Sequence, residues 1–506
     1  MTHKILTYMS GERGHVFFAS LSFLQKKMPC EIYGIIDRNE SVKKFFQKQK
    51  FVNFKELFYY RDSIKRIHDP DYEYLKNFEK KHNVNLWSIA YMDPAFYKYD
   101  EQTHFSEREI LSLIEDDCRF FENIFSKVKP DFLILHVGGM KQLNLLERMV
   151  DYYGTKRLVF SGAKFGPRHQ ISKNYELIDH INIEKNNGDE TEPISNKEID
   201  ETRKKLELYN FYKKKVKEAP QLKKTNYLLA TLTALLDHRR EFYNQYSNIK
   251  KNFFISNFEL FLKQIKKYQR KKYLDKVALY HVPDKTKFIF FPLHSQPEQT
   301  LSVRAQYYTN QLSLIKNIAQ SIPIDYTLYV KEHYFMGILY KWRTKSYYDK
   351  LLEMPNVKLI HPSVPSSELY EKCDLVVTIN GSATYESLLY RKPVIVFTDT
   401  SSMMVPMVTK VLNLEDLPKI IREKLSLKND TKQFKQYFKA KMDESFYLEQ
   451  SLFHQIFNEF FIHAGSVDNI SNSQMEQFLE KNKNTLEFIA DRLLLKIKQY
   501  QSNQIT

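Results

Sequence analysis

Glycine is scarce in this chain: 12 residues of 506. Where the one residue that takes left-handed backbone freely is so rare, a glycine beside a predicted strand end marks a tight turn or a close approach. Cysteine is scarcer still. Cys30, Cys118 and Cys373 lie far apart in no metal-ligand spacing, which excludes a disulfide framework and a cysteine zinc site and fits a reducing compartment. No run approaches the roughly eighteen uninterrupted apolar residues of a membrane span. The opening MTHKILTYMS reads as a strand rather than a signal peptide, so a cytoplasmic protein is expected.

Hydrophobic residues make up 42% and aromatic residues 14% of the chain, a globular composition. The length exceeds what one hydrophobic core usually serves, so two domains are expected. The net charge of +16 comes largely from Lys-rich helical stretches, such as Lys213 to Lys217 and Lys263 to Lys276. Such runs are commonly solvated helix faces, and they also suit peripheral contact with an anionic inner-membrane face or an anionic glycan. No helix-turn-helix, zinc-finger or RNP-type aromatic motif accompanies the charge, and no nucleic-acid partner is expected.

The run Lys4 to Met9 stops at Ser10-Gly11-Glu12-Arg13-Gly14-His15, and VFFASLSFLQKK then has helical periodicity, giving strand, glycine loop and helix. EIYGIID, DFLILHVGG and RLVFSGA repeat the strand pattern. After a polar stretch without a convincing strand, KFIFFPL, YTLYVKEH, VKLIHP, DLVVTIN and PVIVFT resume it. Strands alternating with helices predict an α/β fold of two Rossmann-like domains with parallel sheets. The expected divisions are 1–185, a first Rossmann-like domain; 186–280, a helical connection or insertion; 281–425, a second Rossmann-like domain; and 426–506, C-terminal helices.

Three polar clusters fall at the carboxyl ends of strands in the second domain, where open α/β sheets bind ligands. After DLVVTIN the chain turns at Gly381, and Ser382 and Thr384 open a helix. Free backbone N–H groups, the positive end of the helix dipole and two hydroxyls there suit a phosphate or diphosphate. Glu386, one turn on, is placed to accept from a ribose or sugar hydroxyl, and Ser366 is expected to cap the preceding short helix. YTLYVKEH delivers Lys331, Glu332 and His333, of which Lys331 and His333 suit neutralisation of a leaving phosphate. FIFFPLHSQPEQT places His294, Gln296 and Glu298 after the domain's first strand. The bland readings are an ordinary N-cap at Ser382, a structural hydrogen bond at His333 and a proline-shaped turn around His294.

The order LHSQPE, VKEH and PNVKLIHPSVPSSELYEKCDLVVTINGSATYESLLYRKPVIVF resembles the bacterial capsular polysaccharide biosynthesis glycosyltransferases, a group that includes the Kdo transferases of capsule assembly. The resemblance covers about residues 285 to 400 and is strongest around Gly381-Ser382, Glu386 and Lys392-Pro393. It implies a GT-B fold whose sheets face a cleft. A nucleotide-sugar donor, CMP-, UDP- or GDP-linked, is expected on the second domain, and a glycan or glycolipid acceptor on the first. It also implies donor contacts at His333, Ser382, Glu386 and Gln296, and no separate cofactor. Where the family has His-Pro, this sequence has His333-Tyr334.

Transfer also needs a base for the acceptor's proton. Glu12 and His15, in the loop after the first strand, are the first candidates; Asp37 and His136 are weaker ones. Asp69-Pro70-Asp71 matches a metal-binding Asp-X-Asp pattern, but no apolar strand leads into it. Glu115-Asp116-Asp117 reads as a solvated helix face. No essential metal is expected. A polyol-phosphate transferase, a sugar-nucleotide epimerase and a non-catalytic polysaccharide-assembly protein are the alternatives on the same scaffold.

Overall fold

The computed structural model describes residues 2–38, 40–64, 67–93, 96, 105–174, 194–218, 265–266, 268–296, 299–334, 336, 343–427, 432–448, 452–453, 456, 459–462, 467–468 and 470–502. Most of the expected helical connection, including Lys263 and Lys267 of its basic run, falls outside these residues. Within it, Asn196–Glu218 and residues 268–277 are helical.

The first sheet contains β1 (His3–Met9), β2 (Cys30–Ile36), β3 (Phe54–Tyr59), β4 (Phe132–His136), β5 (Lys156–Gly162) and β6 (Arg168–Ser172). Its order is β6-β5-β4-β1-β2-β3, parallel from β5 to β3, with β6 antiparallel to β5. The second sheet contains β7 (Phe288–Pro292), β8 (Thr327–Lys331), β9 (Val357–Ile360), β10 (Leu375–Val377), β11 (Val394–Val396) and β12 (Val408–Lys410). It is parallel throughout, in the order β12-β11-β10-β7-β8-β9. Both sheets have the doubly wound Rossmann order, reversing between their first and fourth strands, and ligands of such sheets bind outside the carboxyl ends at that reversal.

The residue pattern explains why both faces are covered. Ile5, Ile32, Phe132 and Ile134 enter one apolar cluster, while Leu6, Tyr33, Leu133 and Leu135 enter another. The second sheet divides likewise, Ile289, Phe291 and Val330 on one side and Phe288, Phe290 and Tyr329 on the other. Strands apolar on both faces stay out of water only between two helical layers. The helix α1 (Gly11–Lys27) supplies part of one layer. Its Gly14 lets it sit close on β1, since a Cβ there would stand 2.9 Å from the Met9 carbonyl carbon.

The C-terminal segment returns to the first sheet. The two-residue strand β13 (Phe446–Tyr447) pairs antiparallel with β6. The helix Lys483–Gln501 buries Leu486, Ile489, Leu493 and Ile497 in the cluster that holds Phe17 and Leu24 of α1. Arg304 joins Glu147 across the domains at 3.2 Å, and Ser88 and Gln306 exchange two hydrogen bonds. Among the described residues, no helix is long and apolar enough to cross a membrane.

One expectation is overturned. Glu115, Asp116 and Asp117 are not a solvated face: they are 5%, 4% and 1% exposed, on the helix Glu107–Val128. Asp117 pairs with buried Lys141 and accepts from the Tyr60 hydroxyl at 2.8 Å. Glu115 accepts from Arg119 and from the Asp71 N–H, and Asp116 lies 3.3 Å from His68. Charge in the sequence read as exposure, whereas packing supplied each carboxylate with a partner. Asp71 caps the helix Tyr72–His82, accepting from the Tyr74 N–H at 2.9 Å.

Lys141→Met strands Asp117 among apolar neighbours. It should lower unfolding free energy by about 3–5 kcal/mol in urea titration, while Asp117→Leu combined with Lys141→Met should recover most of that loss.

Candidate functional site

A cleft of about 690 Å³ lies between the carboxyl ends of the two sheets, its walls drawn from both domains. The wall from the second domain is built by four consecutive strand ends. Pro292, Leu293 and His294 follow β7, Lys331 to Tyr334 end and follow β8, Pro362 to Ser367 follow β9, and Asn380 to Ala383 follow β10.

At the β10 end the chain reverses through Gly381, whose φ of 96° and ψ of −162° cap the helix Ser382–Leu389. An L side chain rarely takes this conformation. Asn380 fixes the turn: its side-chain oxygen accepts from the Gly381 N–H at 2.6 Å and its amide donates to Thr398 Oγ1 at 2.8 Å. Its carbonyl accepts from His294 Nε2 at 2.6 Å. The first turn of this helix therefore opens on the cleft with Ser382 exposed, presenting N–H groups that have no intrahelical partner. Glu386 also lines the cleft and is bonded to the Tyr370 hydroxyl.

The β8 end is held from below by Glu332, which is 0% exposed. Its carboxylate accepts from Arg343 at 2.5 Å, from the Tyr348 hydroxyl at 2.8 Å and from the His333 N–H at 2.7 Å. Arg343 extends its other nitrogen to the His294 carbonyl at 2.7 Å, so one buried ion pair fixes the loops that carry His294 and His333. Lys331 reaches Ser366 Oγ at 3.0 Å. Ser366 is therefore not the N-cap expected of it; Pro365 holds that position and Ser366 is the first helical residue.

Six expected donor residues come together on this wall: His294, Lys331, His333, Gly381, Ser382 and Glu386. Others do not. Gln296 turns inward, donating to the Thr309 carbonyl at 2.8 Å and accepting from Gln311 at 3.2 Å. Thr384 is 0% exposed beneath the helix start. Glu298 lies outside the described residues, as does the Glu12 side chain, although Glu12 falls in the first turn of α1. His15 is 2% exposed and sits against Arg38 at 3.1 Å and the Phe460 ring, away from the cleft walls. Helical geometry explains the miss, since His15 lies in the helix and turns toward the core rather than staying in a loop. Asp37 is held by the Tyr8 hydroxyl at 2.6 Å and Gln142 at 3.1 Å, and His136 lies 3.4 Å from Ser10.

The rest of the lining brings residues that the sequence did not single out: Arg13, Lys164, Arg168 and His169, and, from the helix Asn196–Glu218 packed against Tyr390 of the second domain, Arg203 and Glu207. Lys164 and Gly166 both have positive φ, 70° and 63°. Two of the rare glycines, Gly162 and Gly166, flank Lys164 after β5, a signal present in GAKFGPR. Arg168 is spent on the carbonyls of Met442 and Ser445, each at 2.6 Å, while Arg13 donates to the Val137 carbonyl at 3.1 Å. Among the described residues, no group of three or more His, Cys, Asp or Glu side chains comes together as a metal site.

The family of capsule polysaccharide biosynthesis proteins matches residues 190–447, just over half of the chain. The chain belongs to that family. Its work is the building of capsule polysaccharide. No curated protein matches the sequence.

Solved structures similar to this family member include a beta-Kdo 2,7 transferase from Thermosulfurimonas dismutans. It is 12% identical over 82% of this chain and 100% of that one, at a TM-score of 0.32. A glycosyltransferase from Rickettsia africae is 11% identical, covering 96% and 98% of the two chains at 0.27. A UDP-GlcNAc 2-epimerase from Neisseria meningitidis, bound to UDP-GlcNAc, is 12% identical over 96% and 99%, at 0.26.

Gly381→Ala forces a side chain into a strained conformation costing about 1–3 kcal/mol; thermal unfolding should register that loss. Burial holds His294 and His169 neutral, with pKa values lowered to about 4, and His136 lowered to about 3. The unfolded chain takes up these protons near pH 6.5 and the folded chain only below those values. Stability is therefore retained above pH 6.5 and falls as pH drops toward 4, by about 1.4 kcal/mol per pH unit for each such histidine. Urea midpoints measured across pH 7 to 4 should show the fall, and His294→Gln should reduce its slope.

Proposed function

We propose that this protein is a glycosyltransferase that moves a sugar from a nucleotide-activated donor to a growing capsular polysaccharide or its lipid-linked acceptor. The observation that carries this reading is the convergence at the second sheet's reversal. The Gly381-Ser382 helix start, Lys331 and His333 meet on one cleft wall. Helix N–H groups with a lysine and a histidine suit the phosphates of a nucleotide donor, and they stabilise the charge that develops as its phosphate leaves. Glu386 is offered to a ribose or sugar hydroxyl. The facing wall, with Arg13, Lys164 and His169, receives the acceptor.

In this reading the acceptor oxygen bonds to the anomeric carbon as the bond from that carbon to the phosphate oxygen breaks, and the nucleotide leaves with the electron pair. Lys331 supplies positive charge at the leaving group, and His333 offers it an imidazole N–H. The acceptor's proton passes to the Glu12 carboxylate, since His15 is buried and does not line the cleft. The protein works at the cytoplasmic face of the inner membrane, where nucleotide sugars and lipid-linked acceptors meet, and its net charge of +16 favours peripheral contact with that anionic surface.

The test is nucleotide release from a panel of CMP-, UDP- and GDP-sugars incubated with capsule-glycan acceptors. At least one donor should be turned over, with retention of activity in EDTA. Ser382→Ala and His333→Ala should each lower kcat by about 100-fold, as loss of a donor to a developing oxyanion does. Failure of every donor to turn over with any acceptor would sink the transferase reading.

A further inference from the structure

The outer edge of the second sheet carries a chain of three polar side chains that ends on the cleft wall. Residues just before the second domain zip onto β9: Leu279 bridges Ile360 in parallel, donating its N–H to the Leu359 carbonyl at 2.8 Å and accepting from the His361 N–H at 2.9 Å. This register sets Asp275, on the helix over 268–277, and the Tyr280 ring against His361. Asp275 Oδ1 lies 3.0 Å from His361 Nε2, and the Tyr280 ring stacks on the imidazole with centroids 4.3 Å apart and planes 25° from parallel. On the other side of the ring, Nδ1 lies 2.6 Å from Ser363 Oγ and 3.2 Å from the Ser363 backbone nitrogen. Ser363 is exposed and lines the cleft.

Chemistry fixes the direction of every bond in this chain. A backbone N–H only donates, so Nδ1 is an acceptor. The one proton of the neutral imidazole is then on Nε2, where the Asp275 carboxylate accepts it. The Ser363 hydroxyl, against the same Nδ1 lone pair, donates its hydrogen to the ring. Its oxygen has only lone pairs left to offer the cleft. A serine hydroxyl normally rotates to suit either a donor or an acceptor, and this one has lost that freedom.

We propose that Ser363 is a specificity-determining residue that accepts a hydrogen bond from an N–H or O–H of the bound nucleotide, with Asp275 and His361 as positioning residues that set its polarity. The inference rests on the nucleotide-donor reading and refines it. A nucleotide amine or ribose hydroxyl satisfies Ser363, whereas a carbonyl at the same place leaves two acceptors facing each other unpaired. Burial holds the His361 pKa below the ordinary imidazole value, opposed by Asp275 and aided by Lys271 and Lys331; the Tyr280 ring caps the face. Protonation puts a hydrogen on Nδ1 and frees the Ser363 hydroxyl to turn. The preference is therefore steady at neutral pH and fades in acid.

The test is calorimetric binding of CMP, UMP, AMP and GMP, together with the 2′-deoxy and 3′-deoxy forms of the tightest of them, to the full chain at pH 7.5 and at pH 5. The wild type should discriminate at one donor position. A CMP over UMP preference identifies a base amine, and a ribose over deoxyribose preference identifies a sugar hydroxyl. Ser363→Ala should weaken the favoured nucleotide about tenfold, the worth of one such hydrogen bond, and erase the discrimination. Ser363→Thr should keep it. His361→Phe, which retains an aromatic ring for Tyr280 but no lone pair, should erase it while circular dichroism stays native.

An unchanged ratio between nucleotides in Ser363→Ala would overturn this inference alone, as would a loss of kcat with no change in Kd, which marks a proton relay instead. Absence of any nucleotide binding by the wild type would overturn the donor reading, and this inference with it.

Discussion

Glu332 is a carboxylate with no access to solvent, and the second domain's wall of the cleft depends on how its charge is satisfied. An isolated buried carboxylate is strongly disfavoured. Here Arg343, Tyr348 and the His333 backbone together satisfy its oxygens, and Arg343 reaches on to the His294 carbonyl. Because breaking a buried pair leaves an uncompensated charge, the two loops cannot shift independently without a large cost. That rigidity is what a site needs when charge develops at one atom during the reaction, since donors that must reorganise stabilise it less.

The first domain uses the same device for a different purpose. Lys141 and Asp117 are buried together with Tyr60 in the helical layer over its sheet, distant in sequence and joined by packing. The C-terminal helix on α1 and the pairing of β13 with β6 bring the end of the chain back to the first domain. Arg168 ties that return to the cleft by bonding the carbonyls of Met442 and Ser445. The chain thus crosses between domains more than once, which couples the two walls mechanically.

Much of the fold was legible because parallel strands covered on both faces read as short continuous apolar runs. KILTYM, FIFFP and DLVV are such runs, and each is a strand. FKELFY, which is β3, was not recognised: it lies at a sheet edge, and its lysine and glutamate interrupt the apolar pattern. Strand β12, VTK, buries only its valine, so no apolar run marks it, unlike the equally short β10 and β11. The helix start at Gly381 was legible from glycine scarcity and spacing alone. Gln296 and Thr384 were read as site residues because residue type shows chemical capacity but not side-chain direction; a rotation of about 100° per helical residue is enough to turn Thr384 away from where Ser382 points.

By itself the sequence determined the two alternations of strand and helix, the turn at Gly381 and the family to which its second half belongs. These are local properties, set by the spacing of apolar residues and by backbone freedom within a few positions. Only the tertiary structure decided that Glu115, Asp116 and Asp117 are buried, that His15 faces a core, that Arg13 and Lys164 face His333 across one cleft, and that Asp275 reaches Ser363 through His361. Those outcomes depend on residues tens to hundreds of positions apart. Whether a charge or a hydroxyl is paired, buried or presented depends on what folding places beside it, and the spacing of residues along the chain carries no record of that.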